Sequence, residues 1–129
     1  MRHRILVVDD SSSLVLSLAE LLKYNGFEVE TALSGTEALH KIETEDYDLV
    51  ICDIEMPGMS GLEFLSHVRK DYEKEIDVIL MTGYEDKEYF IEAIRNGAAD
   101  FIRKPIDSKQ MMRSIQTILN RKKRRNDFS

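Results

Sequence analysis

The sequence predicts a single α/β domain with a doubly wound, five-stranded parallel sheet in the order 2-1-3-4-5, on three observations. Five short apolar or β-branched runs alternate with five longer stretches of helical period, the pattern of repeated strand–helix units. One of those runs, LVIC at 49–52, is four consecutive apolar residues, as expected of a strand covered on both faces. The length of 129 residues suffices for one core and is too short for two ordinary ones.

The first strand is ILVVD (5–9), and a helix follows over 12–24 with Leu14, Leu18, Leu21 and Leu22 on one face. Gly26 is placed to end that helix as a left-handed cap. FEVETA (27–32) reads as the second strand, after which Ser34 and Glu37 form a capping box for a helix carrying Ala38, Leu39 and Ile42. DLVICD (48–53) is the third strand. A Pro- and Gly-bearing loop, IEMPGMSG (54–61), leads into a helix with Leu62, Leu65 and Val68. IDVILMT (76–82) is the fourth strand, followed by a helix over about 86–96 in which Phe90, Ile91 and Ile94 are apolar and Gly97 is the stop. DFIRK (100–104) is a short fifth strand ended by Pro105. Asp107 and Gln110 can cap the last helix, which shows Met111, Ile115, Ile118 and Leu119 at helical spacing.

Composition narrows the function classes. With 43% hydrophobic and 33% charged residues and no long uncharged apolar stretch, the chain reads as a soluble protein that neither spans nor binds a membrane. MRHRILVVDD has too short an apolar run for an export signal, so a cytoplasmic location is expected. Cys52, the single cysteine, excludes an internal disulfide and a cysteine-cluster metal site. His3, His40 and His67 share no ligand spacing. The net charge of −6 conceals a basic run, RKKRR at 121–125, so residues 1–120 are more acidic than the whole. An acidic body is repelled by phosphate backbones, which argues against direct nucleic-acid binding. Residues 1–120 are therefore read as the domain and 121–129 as a basic C-terminal tail or linker, its cations suited to a helix C-terminus.

In a sheet of this topology, ligands bind beyond the carboxyl ends of the strands near the point where strand order reverses. Strand one ends in Asp9 and Asp10, strand three in Asp53, strand four in Thr82 and strand five in Lys104. These strands neighbour one another, so their ends converge. Three close carboxylates raise one another's pKa unless a cation sits among them, and a hard divalent ion such as Mg²⁺, or Mn²⁺, suits oxygen ligands of this kind. Asp10 and Asp53 are the expected direct ligands, with Asp9 acting through water and the backbone carbonyl of Glu55 completing the set. A free oxygen of Asp53 could then attack phosphorus to give an aspartyl phosphate. Lys104 would neutralise one phosphoryl oxygen and the Thr82 hydroxyl would donate to another. Lys104 precedes Pro105, so the bond between them can be cis at modest cost. Taken singly, acid pairs at strand ends, a helix-capping threonine and a Lys-Pro turn are ordinary. Their occurrence together at four of five strand ends carries the argument.

LVVDD (6–10), DIEMPGMSG (53–61), MTG (81–83) and KP (104–105) closely resemble the receiver domain of response regulators, over the chain up to about residue 120. The resemblance implies a flavodoxin-like (βα)5 three-layer sandwich. It implies that Asp53 takes a phosphoryl group from a phosphohistidine on a sensor histidine kinase or phosphotransfer protein, with Mg²⁺. It also implies a switch in which Thr82 moves toward the phosphoryl group and Phe101 turns inward behind it. The face formed by the fourth helix, fifth strand and fifth helix would change with it and control output, including phosphorylation-dependent homodimerisation. Glu55 and Tyr84, two residues beyond Asp53 and Thr82, would flank the approach of water and tune the lifetime of the acyl phosphate. The domain would then be a phosphoacceptor and not an enzyme, assisting only its own phosphorylation and dephosphorylation.

Three other readings compete. A Mg²⁺-dependent aspartyl-phosphate phosphatase requires its nucleophile in a D-x-D pattern after strand one, where this chain has D-D-S-S. A flavin-binding domain requires a phosphate loop there, which Asp9 and Asp10 oppose. A receiver-shaped interaction module that is never phosphorylated does not need the five site residues.

Overall fold

The computed structural model describes residues 2–72, 75–83 and 87–127. Alternation of large apolar side chains along each strand sets up its layers, because successive side chains of a strand point to opposite faces. In β1 (Arg4–Val8), Leu6 and Val8 join one core cluster while Ile5 and Val7 join the other. The central strand β3 (Leu49–Asp53) repeats this with Val50 and Cys52 against Leu49 and Ile51, and all five of its residues are buried. The full order of elements is β1, α1 (Ser12–Tyr24), β2 (Glu28–Ala32), α2 (Gly35–Thr44), β3, α3 (Gly61–Lys70), β4 (Asp77–Thr82), α4 (Lys87–Arg95), β5 (Asp100–Arg103) and α5 (Ser108–Asp127). The sheet is parallel throughout, in the order β2-β1-β3-β4-β5. Val15, Leu18 and Leu22 of α1, with Met111, Ile115 and Ile118 of α5, cover one face. Ala38 and Ile42 of α2, Phe64, Leu65 and Val68 of α3 and Ala93 of α4 cover the other.

The expected caps form. Gly26 and Gly97 follow α1 and α4 at positive φ. Ser34 accepts from the Glu37 amide at 3.1 Å, and the Glu37 carboxylate reaches back to the Leu33 amide at 2.9 Å, one residue earlier than the usual capping box. Asp107 accepts from the amides of Lys109 and Gln110.

Two helices go further than the sequence reading. The apolar residues of α4 are largely in solvent: Phe90, Ile91 and Ile94 are 48%, 46% and 58% exposed. Among the described side chains of α4, Ala93 is the one buried in the core, while Phe90 meets Phe101 of β5 edge-on. Periodicity shows that a face is apolar, but not what it packs on. α5 shows no break at residue 120 and carries the basic run on its last turns, where cations oppose the negative end of the helix dipole. Lys122 there reaches the Asp48 carboxylate at 3.3 Å.

Candidate functional site

The parallel register puts the strand ends side by side. Val8 lies opposite Cys52, so Asp9, the next residue, comes beside Asp53 at the end of β3; Asp53 in turn lies opposite Met81, one residue before Thr82. The amide of Lys104, just past β5, donates to the Thr82 carbonyl at 2.7 Å. Four of the strand-end residues predicted to converge are thus brought together, and three of them are withdrawn from solvent: Asp9, Asp53 and Thr82 are 1%, 3% and 0% exposed. Asp10 is exposed at the rim. Ligand oxygens of Asp9, Asp10 and Asp53 all lie within 4.8 Å of one another.

Lys104 is the resident cation of this cluster. Its Nζ is 2.9 Å from Asp9 Oδ2 and 3.3 Å from Asp53 Oδ2. Burial pulls its pKa down, but its hydrogen bond to Asp9 and the charge of Asp53 outweigh this, and the net shift is upward. Asp53 is also shifted upward, first by burial and then by the charge of Asp9, against the opposing pull of Lys104 and the Glu55 amide. Asp53 Oδ1 is buried with no hydrogen-bond partner. Both Asp9 oxygens are engaged, one by Lys104 and the other by the Ser11 amide at 3.0 Å. A hard, oxygen-preferring divalent cation fits this donor set, because it would satisfy the orphaned oxygen and offset the excess negative charge that Lys104 leaves.

The other predicted positions divide. The Thr82 hydroxyl donates to Glu55 Oε1 at 3.3 Å, so in this state it is directed to Glu55 and not to Asp53. Phe101 is partly buried against the α2–α3 side of the core, its ring edge-on to Phe90 at 5.7 Å. The Lys104–Pro105 bond is cis. Tyr84 lies outside the described residues. Cys52 is core: burial pushes its thiol pKa well up, and its Sγ contacts the Asp53 carbonyl. His67 pairs with Asp71 on the surface of α3.

One residue that matters here, Gly61, closes the DIEMPGMSG run read from the sequence but was given no role of its own there. A Cβ on Gly61 would stand 2.3 Å from the Asp53 carbonyl oxygen and 2.8 Å from Ile54 Cα, both backbone atoms. The Gly61 amide donates to the Ile54 carbonyl at 2.8 Å, and Ser60 caps α3 by accepting from the Glu63 amide. The available signal was a glycine at the first position of a helix, directly after a good N-cap, where any helix former would serve unless space forbade it. Gly61→Ala is expected to destabilise the protein by about 3 kcal/mol, since the backbone beneath Asp53 must move to admit the methyl. A urea denaturation curve that matches the parent would show that this close packing does not hold the loop.

Comparison with known proteins shows the family to which the chain belongs. The sequence matches the family described as response regulator receiver domain over residues 5–116. The chain is a response regulator receiver domain. As such it is a signalling domain of two-component systems. The domain is similar to the transcriptional regulatory protein ZraR of Klebsiella oxytoca, at 37% identity over 89% of this chain, though it spans only 26% of that protein. It is 36% identical to the chemotaxis protein CheY of Bacillus subtilis, covering 93% of this chain and 100% of that protein. A CheY-like receiver domain structure from Methanospirillum hungatei superposes with a TM-score of 0.91 at 32% identity, covering 97% of this chain and 99% of that one. Among the described residues no helix of this receiver domain is long and apolar enough to cross a membrane.

Proposed function

We propose that this receiver domain is a phosphoacceptor whose Asp53 takes a phosphoryl group from a phosphohistidine on a sensor histidine kinase or phosphotransfer protein, in a Mg²⁺-dependent reaction. The observation that carries the reading is the buried, unpartnered Asp53 Oδ1 beside two further carboxylates and the Lys104 ammonium. Asp10 and Asp53 would hold the cation directly, the fully engaged Asp9 through water, and the Glu55 carbonyl would complete the set. When bound, Mg²⁺ supplies charge neutralisation for the transferring phosphoryl oxygens. An Asp53 carboxylate oxygen forms the new O–P bond as the P–N bond to imidazole breaks, and the electron pair leaves on the imidazole nitrogen. Lys104 would neutralise a phosphoryl oxygen, and the Thr82 hydroxyl would donate to another.

The added charge then favours a minor conformer in which Thr82 and Phe101 shift and the α4–β5–α5 face changes. The exposed Phe90, Ile91 and Ile94 supply apolar surface for a phosphorylation-dependent homodimer or an output partner on that face. A cytoplasmic location suits this role and agrees with a free, buried cysteine. The domain acts by acquiring and losing its own phosphoryl group, without turnover of an external substrate.

Incubation with a small acyl phosphate and Mg²⁺ is expected to give one phosphoryl adduct by intact-mass analysis, and chelation with EDTA to prevent it. The absence of an adduct would overturn the proposal. Metal binding has a separate readout in stability. Mg²⁺ at about a hundred times its Kd should stabilise the parent by about 2.7 kcal/mol. Asp10→Asn should lose most of that increment while keeping its metal-free melting curve, because Asp10 is exposed. An Asp10→Asn variant stabilised as much as the parent would remove Asp10 from the ligand set.

A further inference from the structure

The geometry points to a second binding site, for a nucleoside phosphate, in a cleft at the end of the sheet opposite Asp53; it makes no use of the chemistry proposed for that residue. Residues 2–3, Phe27 and Asp48 immediately precede β1, β2 and β3, so in a parallel sheet they share the edge away from Asp53. Together with the last turns of α5 they line a cleft of about 550 Å³. That volume is within the range of small-molecule sites, and a bare inorganic anion would fill only a small part of it.

The charge of this cleft is opposite to that of the protein around it. Arg2, Lys122 and Lys123 converge on it, against one carboxylate, that of Asp48. Asp48 is already satisfied: one oxygen accepts from Lys122 at 3.3 Å and the other from the Arg4 amide at 2.8 Å. Among the described residues Arg2 and Lys123 form no ion pair, so the rim is positive in a chain whose net charge is −6. The dipole of α5 accounts for the cations on its last turns. It does not account for Arg2, which lies on no helix and is brought to Lys122 and Lys123 by the fold. An anion among them turns mutual repulsion into attraction, and a phosphate group has oxygens enough to accept from several cations at once. The rest of the lining suits the rest of such a ligand. Phe27 and Leu119, members of the core cluster beneath α1 and α5, form an apolar floor, and the side-chain amides of Gln116 and Asn120 offer donors and acceptors to the edge of a base.

The test is an amide NMR titration of the full chain in EDTA with AMP and, in separate arms, with inorganic phosphate and with adenosine. Without a divalent cation the carboxylates of Asp9, Asp10 and Asp53 repel phosphate, so the acidic end of the sheet should not respond. AMP is expected to shift the amides of Gly26, Phe27 and Asn120 and to saturate with a Kd of about 1 mM. Inorganic phosphate cannot reach the apolar floor and adenosine lacks the charge, so each should bind about tenfold more weakly than AMP. Arg2→Ala and Lys123→Ala, both at exposed positions, should each weaken AMP about fivefold and leave the melting curve unchanged. Failure to saturate at these amides, shifts confined to the surroundings of Asp53, or the parent's Kd in a variant carrying both substitutions would overturn the proposal. Equal affinity for AMP and inorganic phosphate, or for AMP and adenosine, would overturn the assignment of a nucleoside phosphate.

Discussion

Asp53→Asn is expected to abolish the phosphoryl adduct formed with a small acyl phosphate and Mg²⁺, and at neutral pH to make the protein more stable than the parent. Loss of the adduct follows from the nucleophile: an amide oxygen cannot form the acyl phosphate, and no other carboxylate of the cluster has both a buried position and an unpartnered oxygen. The gain in stability follows from the electrostatics. Burial and the neighbouring Asp9 hold the Asp53 pKa above its ordinary value, so the folded protein holds the proton to higher pH than the unfolded chain does. Stability from this group is greatest below the ordinary carboxylate range and declines as pH rises through the raised value. Asparagine has no proton to lose and leaves Lys104 paired with Asp9. Its melting temperature should therefore match the parent at mildly acidic pH and exceed it by a few degrees at neutral pH. An adduct that persists in Asp53→Asn would assign phosphorylation elsewhere, and a melting temperature that falls at neutral pH would show that the Lys104–Asp53 pair outweighs the cost of burying the charge.

The site was legible in the sequence to the extent that it depends on strand ends. A parallel sheet in the order 2-1-3-4-5 brings the residues after β1, β3, β4 and β5 to one edge whatever their side chains do, so Asp9, Asp53, Thr82 and Lys104 could be named from runs of apolar residues alone. Side-chain pairing was not legible in the same way. The carboxylate cluster called for a cation, and a metal was the expected answer, whereas Lys104 already supplies part of it from 95 residues away in sequence. Thr82 and Glu55, 27 residues apart, were assigned separate tasks, and only the folded geometry shows that they bond to each other. α4 is the plainest case among the helices. Its period marks Phe90, Ile91 and Ile94 as one apolar face, but the same pattern serves a face buried in the core and one left for a partner, and here Ala93 is the described side chain of α4 that is buried.

Lys104→Ala is the substitution expected to cost most in the folded state. It removes the ammonium that lies 2.9 Å from Asp9 and 3.3 Å from Asp53, and leaves two carboxylates that are nearly inaccessible to water facing each other. Breaking a fully buried ion pair costs roughly 3–5 kcal/mol; the Lys104 side chain is 27% exposed, so solvent screens part of this, and a loss of about 2 kcal/mol is expected. The folded pKa of Lys104 is raised, so its contribution is fully present below the ordinary lysine range and disappears only as pH rises through the raised value. The parent therefore keeps the pair intact at neutral pH, and the deficit of the variant should be largest there. Below the carboxylate range Asp9 and Asp53 are protonated and need no cation, so the deficit should shrink on acidification. Mg²⁺ supplies the missing positive charge, and should stabilise Lys104→Ala by more than it stabilises the parent. Lys104→Met keeps the apolar stem and should lose nearly as much, which separates lost charge from lost packing. Urea denaturation at neutral and acidic pH, with and without Mg²⁺, reads all of these together. If Lys104→Met is as stable as the parent at neutral pH, or if its deficit grows on acidification, Lys104 is not the cation that makes this cluster of carboxylates compatible with the fold.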